Sequence, residues 1–228
     1  MKAPVQHFPA QGPARNLALV IFPGGGYSIL APHEGAGYAE RFAAAGIDCH
    51  VVAYPLAPDG FRHPAMIEAA QTAIAEVRAQ LAPSVRLGVM GSSAGGHLAA
   101  HALVEWERTG PTHRPDFGVL CYPVITMQPS YGHTGSRGNL LGPEPGETLL
   151  AELSIERRVT PRTPPCFIWH TVEDAAVPVE HSLLFATALR QAGVPFELHA
   201  YARGRHGLGL ETEFDWSSEC LRWLHDLG

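Results

Sequence analysis

The sequence is poor in charge, and the charge it has is dispersed. Only 17% of its 228 residues are Asp, Glu, Lys or Arg, with 22 acidic residues against 16 basic ones for a formal net charge of -6 and no Lys/Arg cluster. That is too little charge for a disordered or coiled-coil chain. Without a basic patch there is no electrostatic footprint for nucleic acid, and no such partner is expected. No run approaches the ~18 apolar residues needed to cross a bilayer, so no membrane partner is expected either. The segment from Met1 to Arg15 has one Lys, three Pro and no long apolar stretch. It lacks the charged and hydrophobic parts of a secretory leader, which predicts a cytoplasmic protein. Cysteine is scarce: Cys49, Cys121, Cys166 and Cys220 are scattered, form no C-x-x-C and fall mostly in apolar runs. They read as buried thiols rather than disulfides or metal ligands. The phosphate-binding patterns G-x-G-x-x-G and Walker Gly-Lys-Ser/Thr are also missing, and no cofactor is expected.

What is present is a sizeable apolar content, 46% of residues, arranged with a rhythm. Short β-rich runs at Leu17 to Phe22, Asp48 to Ala53, Val85 to Met90, Phe117 to Tyr122, Cys166 to His170 and Phe196 to Tyr201 predict strands. Between and after them, helix-period segments run over Glu34 to Ala45, Pro64 to Leu81, Ala94 to Arg108, Val179 to Ala192 and Glu213 to Leu227. Such alternation predicts an α/β fold: one domain over 1–228 with a mostly parallel sheet of about six strands covered by helices on both faces. Gly46 and Gly193 follow helical segments where a left-handed residue is wanted, and Pro64 suits a helical first turn. Only Met127 to Pro165, rich in Gly, Pro, Ser and Thr, breaks the rhythm. It predicts a small lobe with a short helix near Glu147 to Leu153.

Gly91-Ser92-Ser93-Ala94-Gly95 fits G-x-S-x-G between a predicted strand and a predicted helix. In that setting small residues permit a sharp turn that exposes a nucleophilic hydroxyl, here Ser93, at a helix N-terminus. A serine nucleophile needs an acid and a base from later loops at strand C-terminal ends, in the order Ser, Asp/Glu, His. Of the later aspartates, Asp116 precedes its strand, Asp215 and Asp226 belong to the last helical segment, and Asp174 alone follows a strand. Its neighbour Glu173 reads as a solvated loop carboxylate. Of the histidines beyond it, His181, His199 and His225 fall within elements, leaving His206 in a Gly-rich loop after the final strand. The first predicted strand ends in Pro23-Gly24-Gly25-Gly26, and the loop at this place in such a sheet is expected to supply backbone N–H donors to an oxyanion. Gly25, Gly26 and Ala94 are the expected donors.

With these residues in place, the chain resembles the acetyl esterase/acetylxylan esterase-like carboxylesterases of the α/β-hydrolase fold. The resemblance is carried by FPGGGYS (22–28), GSSAGGHLAA (91–100), RPDFGVLCYPVIT (114–126), TPPCFIWHTVEDAAVPVEHSLLFATAL (163–189) and GRHGLGL (204–210), in the family's order. It implies a triad of Ser93, Asp174 and His206 and a serine esterase acting on a small-molecule ester with a short acyl group, some relatives acting on acetylated xylan. Many relatives carry His before the glycines; Pro23 stands there in this chain, as in the acetylxylan-type branch. A peptidase of the same fold, or a catalytically silent binding protein, are the rival expectations.

The remaining candidates have plainer readings. His97 and His101 have the i, i+4 spacing of zinc ligands, but Leu98 stands where a metalloprotease helix has Glu, and no metal is expected there. His97 is expected to pack behind the serine turn. Glu34 is expected in a structural role, bonding backbone or capping a helix. Trp106, Trp169, Trp216 and Trp223 are expected in the core, while Tyr27 and Tyr131 lie in loops that border the expected pocket and are candidates for substrate contact.

Overall fold

The computed structural model describes residues 2–227. Seven strands form one sheet: β1 (Val5–Phe8), β2 (Leu17–Phe22), β3 (Asp48–Val52), β4 (Arg86–Ser92), β5 (Phe117–Cys121), β6 (Cys166–Thr171) and β7 (Phe196–Tyr201). Their spatial order is β1-β3-β2-β4-β5-β6-β7. Only the β1/β3 pair is antiparallel; every other neighbouring pair is parallel. Six strands coincide with the predicted ones to within two residues at either end. β1 is the addition, four residues of half-exposed edge that carry no long apolar run.

Period-two alternation divides the core. Val20, Phe22, Val89, Leu120 and Ile168 face one side of the sheet. Leu19, Ile21, Met90, Val119, Phe167 and Trp169 face the other. The first face is covered by α2 (Ala65–Gln80), α3 (Ser93–Thr109) and α6 (Glu180–Ala192), through side chains such as Ile74, Leu103 and Phe185. The second is covered by α1 (Pro32–Ala43) and α7 (Trp216–Asp226), whose Phe42, Trp216 and Trp223 pack with Trp169 and Phe167. All four tryptophans are buried, as are the four cysteines, which are free thiols.

Helix ends follow local chemistry. Gly193 caps α6 with φ 72° and Gly46 follows α1 with φ 86°, both left-handed as expected. Pro64 stands one residue before α2 rather than in its first turn. The last helix begins at Trp216, later than predicted, because the Asp215 carboxylate accepts the Ser218 N–H as its cap. The lobe over 127–165 holds two short helices, α4 (Thr134–Leu141) and α5 (Glu147–Glu152), of which only α5 was expected. Among the described residues no helix is long and apolar enough to cross a membrane.

Candidate active site

Parallel strands bring their following loops to one edge, and the three predicted side chains arrive there from three strands. Ser93 is the first residue of α3, immediately after β4; Asp174 lies three residues beyond β6 and His206 five beyond β7. The His206 Nδ1 nitrogen is 2.6 Å from Asp174 Oδ2, and its Nε2 is 2.8 Å from Ser93 Oγ. An ionised carboxylate only accepts, so Nδ1 carries the proton and Nε2 accepts from the serine hydroxyl.

The turn that presents Ser93 is strained. Ser93 has φ 52°, a left-handed backbone that costs a non-glycine residue about 1–3 kcal/mol and persists only where the surroundings hold it. The flanking glycines are steric requirements. A Cβ on Gly95 would fall onto the carbonyl oxygens of Phe22 and Pro23, and one on Gly91 onto the Gly95 carbonyl. Removing both side chains lets the serine turn press against the end of β2, the neighbour of β4 in the sheet.

That contact sets the glycine loop beside Ser93. A Cβ on Gly24 would lie 2.9 Å from the Ser92 carbonyl oxygen and 3.0 Å from Ser93 Cβ. Gly25 and Gly26 both have positive φ, at 126° and 62°. Among the described residues their N–H groups donate no hydrogen bond within the chain, and the Ala94 N–H belongs to the first turn of α3, where helix donors lack intrahelical acceptors. Asn139 of the unexpected helix α4 donates from Nδ2 to the Gly26 carbonyl at 2.8 Å, pinning the loop from the lobe side. The Gly/Ser-rich segment around Asn139 gave no periodic signal for that contact.

Glu34 has the structural role expected of it. It is 3% exposed, its Oε2 accepts the Gly24 N–H at 2.8 Å, and its Oε1 accepts from the Tyr122 hydroxyl at 2.6 Å. The Tyr122 hydroxyl in turn accepts the Gly209 N–H at 2.9 Å, and its ring meets the His206 imidazole edge-on at 5.1 Å. Tyr38 continues the network, 3.1 Å from Tyr122 and 3.0 Å from Ser92 Oγ. One buried cluster therefore joins the glycine loop, the serine turn and the histidine loop. Tyr122 was legible in the sequence only as the end of a strand.

Asp174 is almost buried, and burial by itself would raise its pKa. Hydrogen bonds from His170 and His206, the charge of His206 and the Val177 N–H outweigh that and hold the carboxyl well below the usual carboxylate range. The Ala176 and Val177 N–H groups each bond Oδ1 at 2.9 Å. Glu173 is exposed, as expected, and accepts only a long bond, 3.3 Å, from the Gly204 N–H. Tyr27 departs from expectation. It is fully buried, and its hydroxyl bonds His97 Nδ1 at 2.7 Å while His97 Nε2 donates to the Leu153 carbonyl at 2.9 Å. It is therefore no substrate contact: Tyr27 and His97 brace the lobe from behind the serine turn. Tyr131 remains exposed at 42%.

Comparison with known proteins identifies the fold. The acetyl ester-xyloside bifunctional hydrolase of Caldicellulosiruptor lactoaceticus superposes with a TM-score of 0.91 at 39% identity, covering 99% of this chain and 88% of that one. The carboxylesterase Cest-2923 of Lactobacillus plantarum WCFS1 superposes at 0.82 with 25% identity, covering 98% and 92%. Among curated sequences, the acetylxylan esterase of Xylanibacter ruminicola is 35% identical over 222 residues, 92% of this chain and 44% of that protein. The endo-1,4-β-xylanase B of Butyrivibrio fibrisolvens is 36% identical over 209 residues, 86% and 33%. The chain thus spans less than half the length of these two curated relatives. The profile of the α/β-hydrolase fold matches residues 19–210, and the chain belongs to that family.

Proposed function

We propose that this chain is a serine carboxylesterase that removes acetyl-sized groups from carbohydrate hydroxyls. The observation that carries the reading is the continuous Asp174–His206–Ser93 hydrogen-bonded chain, 2.6 and 2.8 Å, at a strained turn beside the glycine loop. Ser93 attacks the ester carbonyl as His206 Nε2 takes its proton; Asp174 keeps Nδ1 protonated and stabilises the imidazolium. The N–H groups of Gly25, Gly26 and Ala94 receive the oxyanion, each such donor being worth about 3–4 kcal/mol in the transition state. His206 then returns the proton to the departing sugar hydroxyl, and activates a water that hydrolyses the acetyl-Ser93 intermediate. The sugar side of the substrate is supported by the names of the Caldicellulosiruptor hydrolase and the Xylanibacter esterase.

The test is release of acetate from acetylated xylo-oligosaccharides, with labelling by a serine-directed phosphonate read by mass. Ser93→Ala is expected to abolish both the label and the turnover. Turnover near that of the unaltered enzyme in Ser93→Ala would overturn the assignment.

A further inference from the structure

The antiparallel pairing that adds β1 to the sheet edge sets His7 directly opposite His50, and Asp48 lies two residues before His50 on β3. Side chains two apart on a strand, and those paired across it, share a face. Ligand atoms of all three residues lie within 4.8 Å of one another. His7 Nε2 is 3.2 Å from Asp48 Oδ1, and the two imidazoles stack at 4.6 Å. His7 is half exposed beside a surface recess of about 640 Å³ that Lys2 and Glu76 also line. His50 is 7% exposed, and its Nε2 is shut off from solvent without a hydrogen-bond partner among the described residues. An unsatisfied buried polar atom of this kind costs about 1–3 kcal/mol.

We propose that His7, Asp48 and His50 bind a single divalent transition-metal ion of the zinc class. Two imidazoles and one carboxylate form a borderline donor set that suits such ions, whereas calcium and magnesium favour all-oxygen surroundings. Bonds of about 2.0–2.1 Å in tetrahedral geometry put ligand atoms roughly 3.3 Å apart. The His7–Asp48 pair has that spacing already, and closing the set requires the half-exposed His7 ring to turn out of its stack on His50. The Ala10 N–H holds Asp48 Oδ1 at 3.0 Å, the kind of outer contact that fixes a ligating carboxylate. Water completes the fourth position. Asp48 starts β3, so the site lies toward the opposite end of the sheet from the Ser93 turn. Its role is to clip the short edge strand β1 to β3, and an ion bound only by the native chain stabilises it.

Zn²⁺ is the probe, titrated calorimetrically into the full chain carrying His206→Ala, which removes the half-buried imidazole that would compete for the ion beside Asp174 and Ser93. One site per chain is expected, with a melting temperature that rises as Zn²⁺ is added. His7→Ala, at a half-exposed position that the fold tolerates, is expected to lower the affinity by about 100-fold or more and to remove the thermal shift. Asp48→Asn keeps the acceptor for Ala10 but loses the charge, and is expected to weaken binding about tenfold or more. Affinity unchanged in both variants would overturn the proposal.

Discussion

At the scale of single residues, the position of one proton decides the chemistry. Asp174 accepts from His206 Nδ1 at 2.6 Å and is itself held by two backbone N–H groups. Asp174→Asn presents an amide that no longer fixes the tautomer, so kcat on an aryl acetate should fall on the order of 10³–10⁴-fold with the fold retained. Glu173→Gln, one residue away but exposed, should stay within a few-fold. Steady-state kinetics on the two purified variants separate them, and the reverse ranking would exclude Asp174 as the acid. The meeting of Ser93, Asp174 and His206 was legible in the sequence, because each follows a strand and parallel strands bring their following loops to one edge. Tyr27 was not. Its fate was decided by the His97 acceptor 70 positions away, a contact that no spacing encodes.

At the scale of elements, the meeting of β2 with the β4–α3 turn is closed to even one carbon. Gly95→Ala should lower stability by about 1–3 kcal/mol or more, since the new methyl meets the carbonyl oxygens of Phe22 and Pro23 and backbone cannot rotate away. Gly138→Ala is the opposite case. It lies within α4 with nothing near its Cβ direction, and should stabilise the chain by roughly 0.4–1 kcal/mol through the unfolded state. Urea unfolding of both variants tests the contrast. The same two elements mark what the sequence concealed. α4 reads TGSRGNLL, with weak intrinsic helix propensity, and is held by tertiary contacts: Leu140 is fully buried, and Asn139 bonds the glycine loop. β1 is four residues with a half-polar pattern, and it pairs only because β3 offers an open edge. The buried strands, by contrast, announce themselves through apolar runs such as LALVIF, in which all six residues are buried.

At the scale of the whole molecule, the lobe over 127–165 decides which acyl groups find cover. Its leucines point inward: Leu140 and Leu153 are core residues, and Leu141, Leu149 and Leu150 pack against the same core. They dock the lobe onto the core, so a longer acyl chain should collect little of the gain of about 0.8 kcal/mol per buried CH₂. Activity on a series of aryl esters should peak at the shortest acyl chains, and an optimum at about eight carbons or more would show an acyl tunnel. Acid stability is set on the same scale. Burial pushes His97 down from 6.5 to about 4, with opposing help from the Leu153 carbonyl, and burial likewise brings His181 from 6.5 to about 4. Between about pH 6.5 and 4 the unfolded chain therefore binds protons that the native chain refuses, and stability must fall as pH falls through that window. Asp174, whose depressed pKa adds stability above about pH 3.9, gives its contribution up only at lower pH. Urea midpoints should stay nearly level from pH 7.5 to about 6.5 and then decline down to pH 4.5, and a profile flat below about pH 6.5 would contradict the buried neutral histidines.

The Tyr122 hydroxyl carries a final consequence. It holds the Glu34 carboxylate that fastens Gly24, and it receives the Gly209 N–H from the loop of His206. The parts around Ser93 consequently share one buried fastening inside the core and cannot fray one at a time. On heating, esterase activity and far-ultraviolet circular dichroism should vanish together at a single temperature, with no inactive yet folded interval between them.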